Sequence, residues 1–185
     1  DRFIKSFAKK ADFKIVYETR RKAVGHIESF STEMASEYEE IPIDTEDIAT
    51  VLIRFNNGAI GNAIFSQGFA GKKNNIEFLI AGTKATAQWS LTNHSDVTIG
   101  HRFTPNETVT KDFVMMKELA GTFDYPAGHT EGYADAFKQN FKQIYNGNPL
   151  GLYATFYDGL RQMIINEKIY ESAKTEKWVK IGKII

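Results

Sequence analysis

The sequence predicts an α+β fold in which a mostly antiparallel sheet carries helices packed on one face. Two observations lead there. Between residues 46 and 101 apolar residues recur at every second position in short runs broken by turn residues, the signature of half-buried strands. Beyond residue 131 the apolar spacing changes to steps of three and four, which is the period of an amphipathic helix.

Taken in chain order, residues 3–19 read as a long strand with an irregularity near Lys9-Lys10, since Phe13, Ile15 and Tyr17 alternate with Lys14, Val16 and Glu18. Residues 20–45 have mixed polarity and no clear period, and read as a loop in which Arg20, Arg21 and Lys22 are balanced by Glu37, Glu39, Glu40 and Asp44. In residues 46–55, Ala49, Val51, Ile53 and Phe55 fall on one face and Thr50, Leu52 and Arg54 on the other. Asn56-Asn57-Gly58 contains an Asn-Gly pair suited to a hairpin turn, and residues 59–69 return antiparallel with Ala59, Gly61 and Ala63 on one side. Residues 75–82 and 85–91 form a second hairpin about Gly82-Thr83, followed by a shorter strand at 96–101. Neighbouring antiparallel strands of this kind assemble most simply as a meander.

The helices follow. From Glu131, Tyr133, Phe137, Phe141 and Ile144 form one stripe, with Lys138, Gln139 and Lys142 outward, Thr130 as N-cap and Gly147 as stop. A second helix over 155–174 places Phe156, Leu160, Met163, Ile164 and Ala173 on its buried side, and residues 178–181 close as a strand. Both helices are expected on one side of the sheet, which leaves its other face for solvent or another molecule.

Composition narrows the function classes. At 185 residues, 42% hydrophobic, the chain reads as a single domain, 1–185, able to bury roughly 70% of its unfolded surface. With no cysteine, thiolate catalysis, iron–sulfur clusters and cysteine-bearing zinc sites are excluded. Lys and Arg number 23 and so do Asp and Glu, which argues against bulk attraction to nucleic acid or anionic lipid. There is no long apolar span and no signal-like start, so no membrane contact and a cytoplasmic location are expected. The four histidines show no metal-ligand spacing, so no metal is expected. Neither G-x-G-x-x-G after a strand nor a phosphate loop occurs, so this chain lacks the usual nucleotide cradle.

Three constellations could carry chemistry. In residues 126–137, His129 precedes the start of a helix, where the positive helix end favours a neutral imidazole able to hydrogen-bond a ligand hydroxyl; capping or loop packing is the plainer role. In the polar loop 66–75, Gln67, Lys72 and Asn74 supply donors suited to a polyhydroxylated or carboxylated ligand, while Gly68 and Gly71 permit close approach; a solvated loop has the same composition. At 99–107, His101 and Arg102 end a strand before a Pro-Asn turn. Phe55, Phe65, Phe69, Phe78 and Trp89 in strand positions suit a core or interface more than a sugar-stacking surface.

Four segments in order, residues 46–90, IGHRFTPNE at 99–107, YPAGHTEGYADAFKQNF at 125–141 and residues 156–181, resemble the C-terminal domain of the glucose-fructose oxidoreductase and inositol dehydrogenase (Gfo/Idh/MocA) family, with a weaker likeness at ADFKIVYETRRKAV, 11–24. The resemblance implies a large open antiparallel sheet that shapes one wall of a substrate site and packs against other subunits, hence a homo-oligomer through the open face. It implies His129, Lys72, Gln67 and Asn74 as substrate-facing residues, with Arg102 beside them. It also implies a sugar or polyol substrate and NAD or NADP in the full-length enzyme, held by an N-terminal Rossmann domain that supplies the proton-transfer groups. No motif of that domain occurs in this chain, so no catalytic residue, no bound cofactor and no turnover are expected of it alone; it reads as a fragment or a natural truncation. The contrasting expectation is a non-catalytic assembly or ligand-binding module.

Overall fold

The computed structural model describes residues 7–16, 19–24, 36–114, 116–147 and 151–182. The chain forms two compact units, one built from residues 1–70 and 155–185 and the other from residues 71–154. The class is α+β with antiparallel strand pairing throughout, as the alternating and helical periods predict.

The first unit holds a four-stranded sheet. Strand β1 (Phe7–Lys14) lies between β10 (Val179–Lys180) and β4 (Ile48–Phe55), and β5 (Ile60–Ser66) forms the edge. The expected inward row of the 46–55 strand is the inner one: Val51 is 1% exposed, Ala49, Ile53 and Phe55 are half-buried, and Thr50, Leu52 and Arg54 are exposed. The irregularity expected at Lys9-Lys10 is absent, because these residues pair in unbroken register with Ile53 and Leu52. Helix α2 (Phe156–Thr175) is capped by Thr155, whose hydroxyl accepts the Asp158 N–H while the Asp158 carboxylate accepts the Thr155 N–H at 2.8 Å. That hydrogen bond, then the one from the Thr155 hydroxyl, holds the Asp158 carboxyl below its ordinary range.

Strand β10 is only two residues long and ends beside Ala8 and Lys9. Where it stops, fully buried Ser172 of α2 takes over: its hydroxyl accepts the Ala11 N–H at 3.2 Å and donates to the Lys177 carbonyl at 2.6 Å. A buried N–H is thus satisfied by a side chain where the ladder has run out. The stripe expected to be buried on α2 is rotated: Phe156, Leu160 and Met163 are exposed, whereas Ile164, Ile165, Ile169 and Ala173 are half-buried. Helix α2 covers β1, and an apolar groove of about 720 Å³ remains over the inner faces of β4 and β5.

The described parts of residues 20–45 are more ordered than their polarity suggests. Strands β2 (Thr19–Ala23) and β3 (Tyr38–Pro42) pair antiparallel with Arg21 opposite Glu40 and Lys22 opposite Glu39, the latter two 3.4 Å apart. The ribbon rests on its backbone ladder, with the exposed Lys22–Glu39 pair across it, and has no apolar period to reveal it. Residues 25–35, with His26, lie outside the described residues, as do residues 3–6 and 17–18 of the expected first strand.

The second unit is a separate sheet in the order β6 (Glu77–Ala81), β7 (Ala85–Ser90), β8 (Asp96–His101), β9 (Glu107–Thr110). The strands expected in one meander therefore divide between sheets, and β9 was not read from the sequence because ETVT is short and polar. One face of this sheet is apolar, with Phe78 against Trp89, Ile80 opposite Ala87, Ala87 opposite Ile99 and Val97 opposite Val109. Phe78 and Ile80 on edge strand β6 are 61% and 72% exposed.

Helix α1 (Tyr133–Tyr145) starts two residues later than expected, with Gly132 rather than Thr130 at its N-cap, because the Asp135 carboxylate accepts the Gly132 N–H at 2.9 Å. Its orientation also differs from the expectation. Tyr133, Phe137, Phe141 and Ile144 are exposed, whereas Gln143 is buried and Gln139 half-buried. No helix among the described residues is long and apolar enough to cross a membrane.

Candidate functional site

His129 sits on a turn fastened at both ends. Pro126, Ala127, Gly128 and His129 form a β-turn closed by the His129 N–H donating to the Pro126 carbonyl at 3.2 Å, with Gly128 at φ +80°, a conformation a side chain would strain. The exposed imidazole has Nδ1 3.4 Å from the Ala127 carbonyl.

The fastening is polar. Glu131, whose side chain is 10% exposed, accepts the Asp124 N–H at 2.8 Å through Oε1, and through Oε2 accepts from the Lys111 ammonium, itself 13% exposed. Lys111 follows β9, its own N–H donates to the Ser95 carbonyl at 3.0 Å, and its ammonium also lies 5.7 Å from the centre of the Phe123 ring. The Asp124 carboxylate binds Lys142 at 2.5 Å and Lys138 at 2.6 Å, both on α1. Hydrogen bonding to Lys138, then Lys142, holds the Asp124 carboxyl far below its ordinary range, and the same contact with Asp124 raises the Lys138 ammonium. Residues 124–131 thus form a short closed loop tied to the sheet by Glu131 and to the helix by Asp124. A cavity of about 220 Å³ adjoins the Lys111–Glu131 pair and is also lined by His94, Asp135 and Gln139.

The other expected residues lie elsewhere. Gln67, just past β5, is exposed, and its N–H donates to the carbonyl of buried Asp47 at 2.9 Å. Lys72 and Asn74 share an exposed turn that leads into β6; Asn74 has φ +45°, and the Lys72 ammonium is 3.4 Å from Glu77, which also accepts from Asn75 at 3.0 Å. The Asn75 hydrogen bond and then Lys72 lower the Glu77 carboxyl. Arg102 is exposed just past β8 and donates from Nε to the Thr83 carbonyl at 3.2 Å, while His101 lies 3.4 Å from Glu107. Among the described residues of the second unit, no hydrogen bond is recorded between any two of His129, Lys72, Asn74 and Arg102. Sequence reasoning missed Glu131, Lys111 and Asp124. Only the i, i+4 spacing of Lys138 and Lys142 hinted at an anion on that helix face.

Among the described residues no group of three His, Asp or Glu side chains is arranged to hold a metal ion. The sequence profile of the oxidoreductase family, C-terminal alpha/beta domain (Gfo/Idh/MocA), matches residues 16–181. The chain belongs to the Gfo/Idh/MocA oxidoreductase family. Among its Gfo/Idh/MocA relatives, levoglucosan dehydrogenase of Pseudarthrobacter phenanthrenivorans is 25% identical over 169 residues, which span 86% of this chain and 42% of the relative. The apo form of a levoglucosan dehydrogenase superposes with a TM-score of 0.77 at 22% identity, covering 98% of this chain and 47% of that one. An inositol dehydrogenase homolog from Azotobacter vinelandii, solved with NADH and myo-inositol, superposes with a TM-score of 0.65 at 19% identity, over 98% of this chain and 45% of that one. Levoglucosan dehydrogenase has also been solved with NADH together with levoglucosan or L-sorbose. The chain therefore corresponds to the C-terminal domain and spans under half the length of these relatives.

Proposed function

We propose that this chain is the substrate-binding and self-association domain of an NAD(P)-dependent sugar or polyol dehydrogenase. The observation that carries this reading is the family match over residues 16–181, together with relatives that are sugar and inositol dehydrogenases. When bound, the nicotinamide supplies or accepts a hydride; no residue of this chain matches a dinucleotide fingerprint, so its work is to receive and orient the substrate. His129, on its fastened turn, is assigned to a substrate hydroxyl. Lys72, Gln67, Asn74 and Arg102 are exposed donors of the right chemistry, with Lys72 and Arg102 already sharing protons with Glu77 and the Thr83 carbonyl. The parent enzyme is assigned to the cytoplasm, with a single domain formed by this chain.

The test is a nicotinamide absorbance assay on the full-length protein, with NAD and NADP each offered against levoglucosan, myo-inositol, L-sorbose and common hexoses. Turnover of at least one is expected, and a raised KM in His129→Ala supports the assigned contact. Silence across the panel counts against the reading. A second reading, a non-catalytic assembly module, draws on the open apolar face of the β6–β9 sheet, where Phe78 and Ile80 are largely exposed. Ile80→Lys separates the two: loss of oligomer in sedimentation with unchanged kinetics of the remaining subunits favours the assembly reading.

A further inference from the structure

The Lys111–Glu131 pair is more buried than any other ion pair recorded among the described residues; the next contain a partner at least 26% exposed. Buried pairs contribute little net stability over an apolar replacement, and their best-attested use is to impose one arrangement on a segment that could adopt several. Here the segment is residues 124–131. Its apolar content is Tyr125, Pro126 and Ala127, all exposed, so apolar burial contributes little to holding it in place. Polar contacts hold it: Asp124 pairs with Lys138 and Lys142 on α1, and Glu131 gives one oxygen to Lys111, at the sheet, and the other to the Asp124 N–H, at the far end of the same loop.

We propose that Glu131 is a positioning residue for His129. By closing the 124–131 loop it keeps the Pro126–His129 turn formed, and that turn sets Nδ1 toward the Ala127 carbonyl. In the neutral tautomer with its proton on Nδ1, the ring presents Nε2 as an exposed acceptor, which suits the O–H of a polyol. This deepens, and rests on, the reading of His129 as a substrate contact. Lys111 is the buried cation that pairs with Glu131, and Gly128 is the residue that allows the turn to close.

The experiment uses the full-length protein, with whichever of levoglucosan or myo-inositol it turns over, and has two readouts. The first is independent of turnover: imidazole nitrogen shifts of protein labelled at histidine, the His129 signal being assigned by its loss in His129→Ala, and hydrogen exchange of the Asp124 amide. Glu131→Gln, or Lys111→Met should the first variant fold poorly, is expected to speed exchange at Asp124 by about a hundred-fold and to move the His129 ring from a single tautomer toward the free-imidazole average. The second is a double-mutant cycle. Glu131→Gln is expected to raise KM about ten-fold with kcat within about two-fold, and to raise it no further in the His129→Ala background. A Glu131 that merely stabilised the fold would cost the same in both backgrounds, and that additivity overturns the proposal. An unchanged His129 ring signal in both Glu131→Gln and Lys111→Met overturns the clasp whatever His129 binds. An unchanged KM in His129→Ala, with the ring signal still sensitive to Glu131, instead removes the substrate contact and with it the role assigned to Glu131 in binding.

Discussion

The β4–β5 hairpin and the segment from Lys111 to Tyr145 solve the same problem by opposite means. In the hairpin, alternation places Ala49, Val51, Ile53 and Phe55 inward, and the Asn56-Asn57-Gly58 turn closes with only Gly58 at positive φ. Within the hairpin the partners are near in sequence, and the chemistry of the inward row is non-directional. In the second segment, α1 turns its aromatic stripe outward, and the loop before it is held by Lys111 with Glu131 and by Asp124 with Lys138 and Lys142. These partners are 14 to 20 residues apart and strictly directional. The contrast teaches that a surface loop can be fixed by a few polar contacts, each of which fails singly, whereas an apolar face degrades by increments.

The sharpest way to break that contrast is Lys111→Ala. It leaves Glu131 buried without its counter-charge, and a loss of about 3–5 kcal/mol in urea unfolding is expected. A loss under about 1 kcal/mol would mean that the loop is not held as described. Val51→Ala, at the centre of the hairpin's inner face, is expected to cost about 1–3 kcal/mol, while Leu52→Ala one position along, 44% exposed, should change stability by under about 1 kcal/mol. Equal effects at 51 and 52 would contradict the inward row. Gly128→Ala comes next, at about 1 kcal/mol for forcing a side chain to φ +80°, and it should raise KM more than its small effect on stability suggests.

The ranking also follows what was legible in the residues. Period-2 alternation is a local property, so the inner face of β4, the hairpins and the close of the chain at Val179 could all be read from the sequence. The helices were legible as helices, since Tyr133 to Ile144 form a stripe and Phe156, Leu160, Met163, Ile164 and Ala173 recur at helical spacing, but not in their rotation. A hydrophobic stripe records that a partner surface is wanted and does not say which element provides it. Strands β2, β3 and β9 were missed because their pairing rests on charge and on backbone bonds, which leave no apolar period. Of the candidate site, His129 was singled out from its place before a helix start, but Glu131 could not be told from any solvated glutamate. Its role depends on Lys111, twenty residues away, and nothing local to either residue encodes that meeting.

The smallest expected effect concerns Asp124. Its carboxyl binds two lysines on the surface of α1, where solvent and salt screen the interaction, so Asp124→Asn should cost well under about 1 kcal/mol and less still at high ionic strength. The pH dependence is more telling than the magnitude. Its folded pKa lies well below the unfolded value of about 3.9, so the folded state binds a proton there less readily than the unfolded chain does. The stabilisation is therefore fully present above about pH 4 and is lost as pH falls toward the depressed value. Wild type and Asp124→Asn should differ by a constant, small amount from neutral pH to about pH 5 and converge in more acid solution, read from urea midpoints across that range. A difference that instead grows with acid would mean that Asp124 is protonated in the folded state at ordinary pH, and the helix end of the loop would then have to be held by something other than this carboxylate.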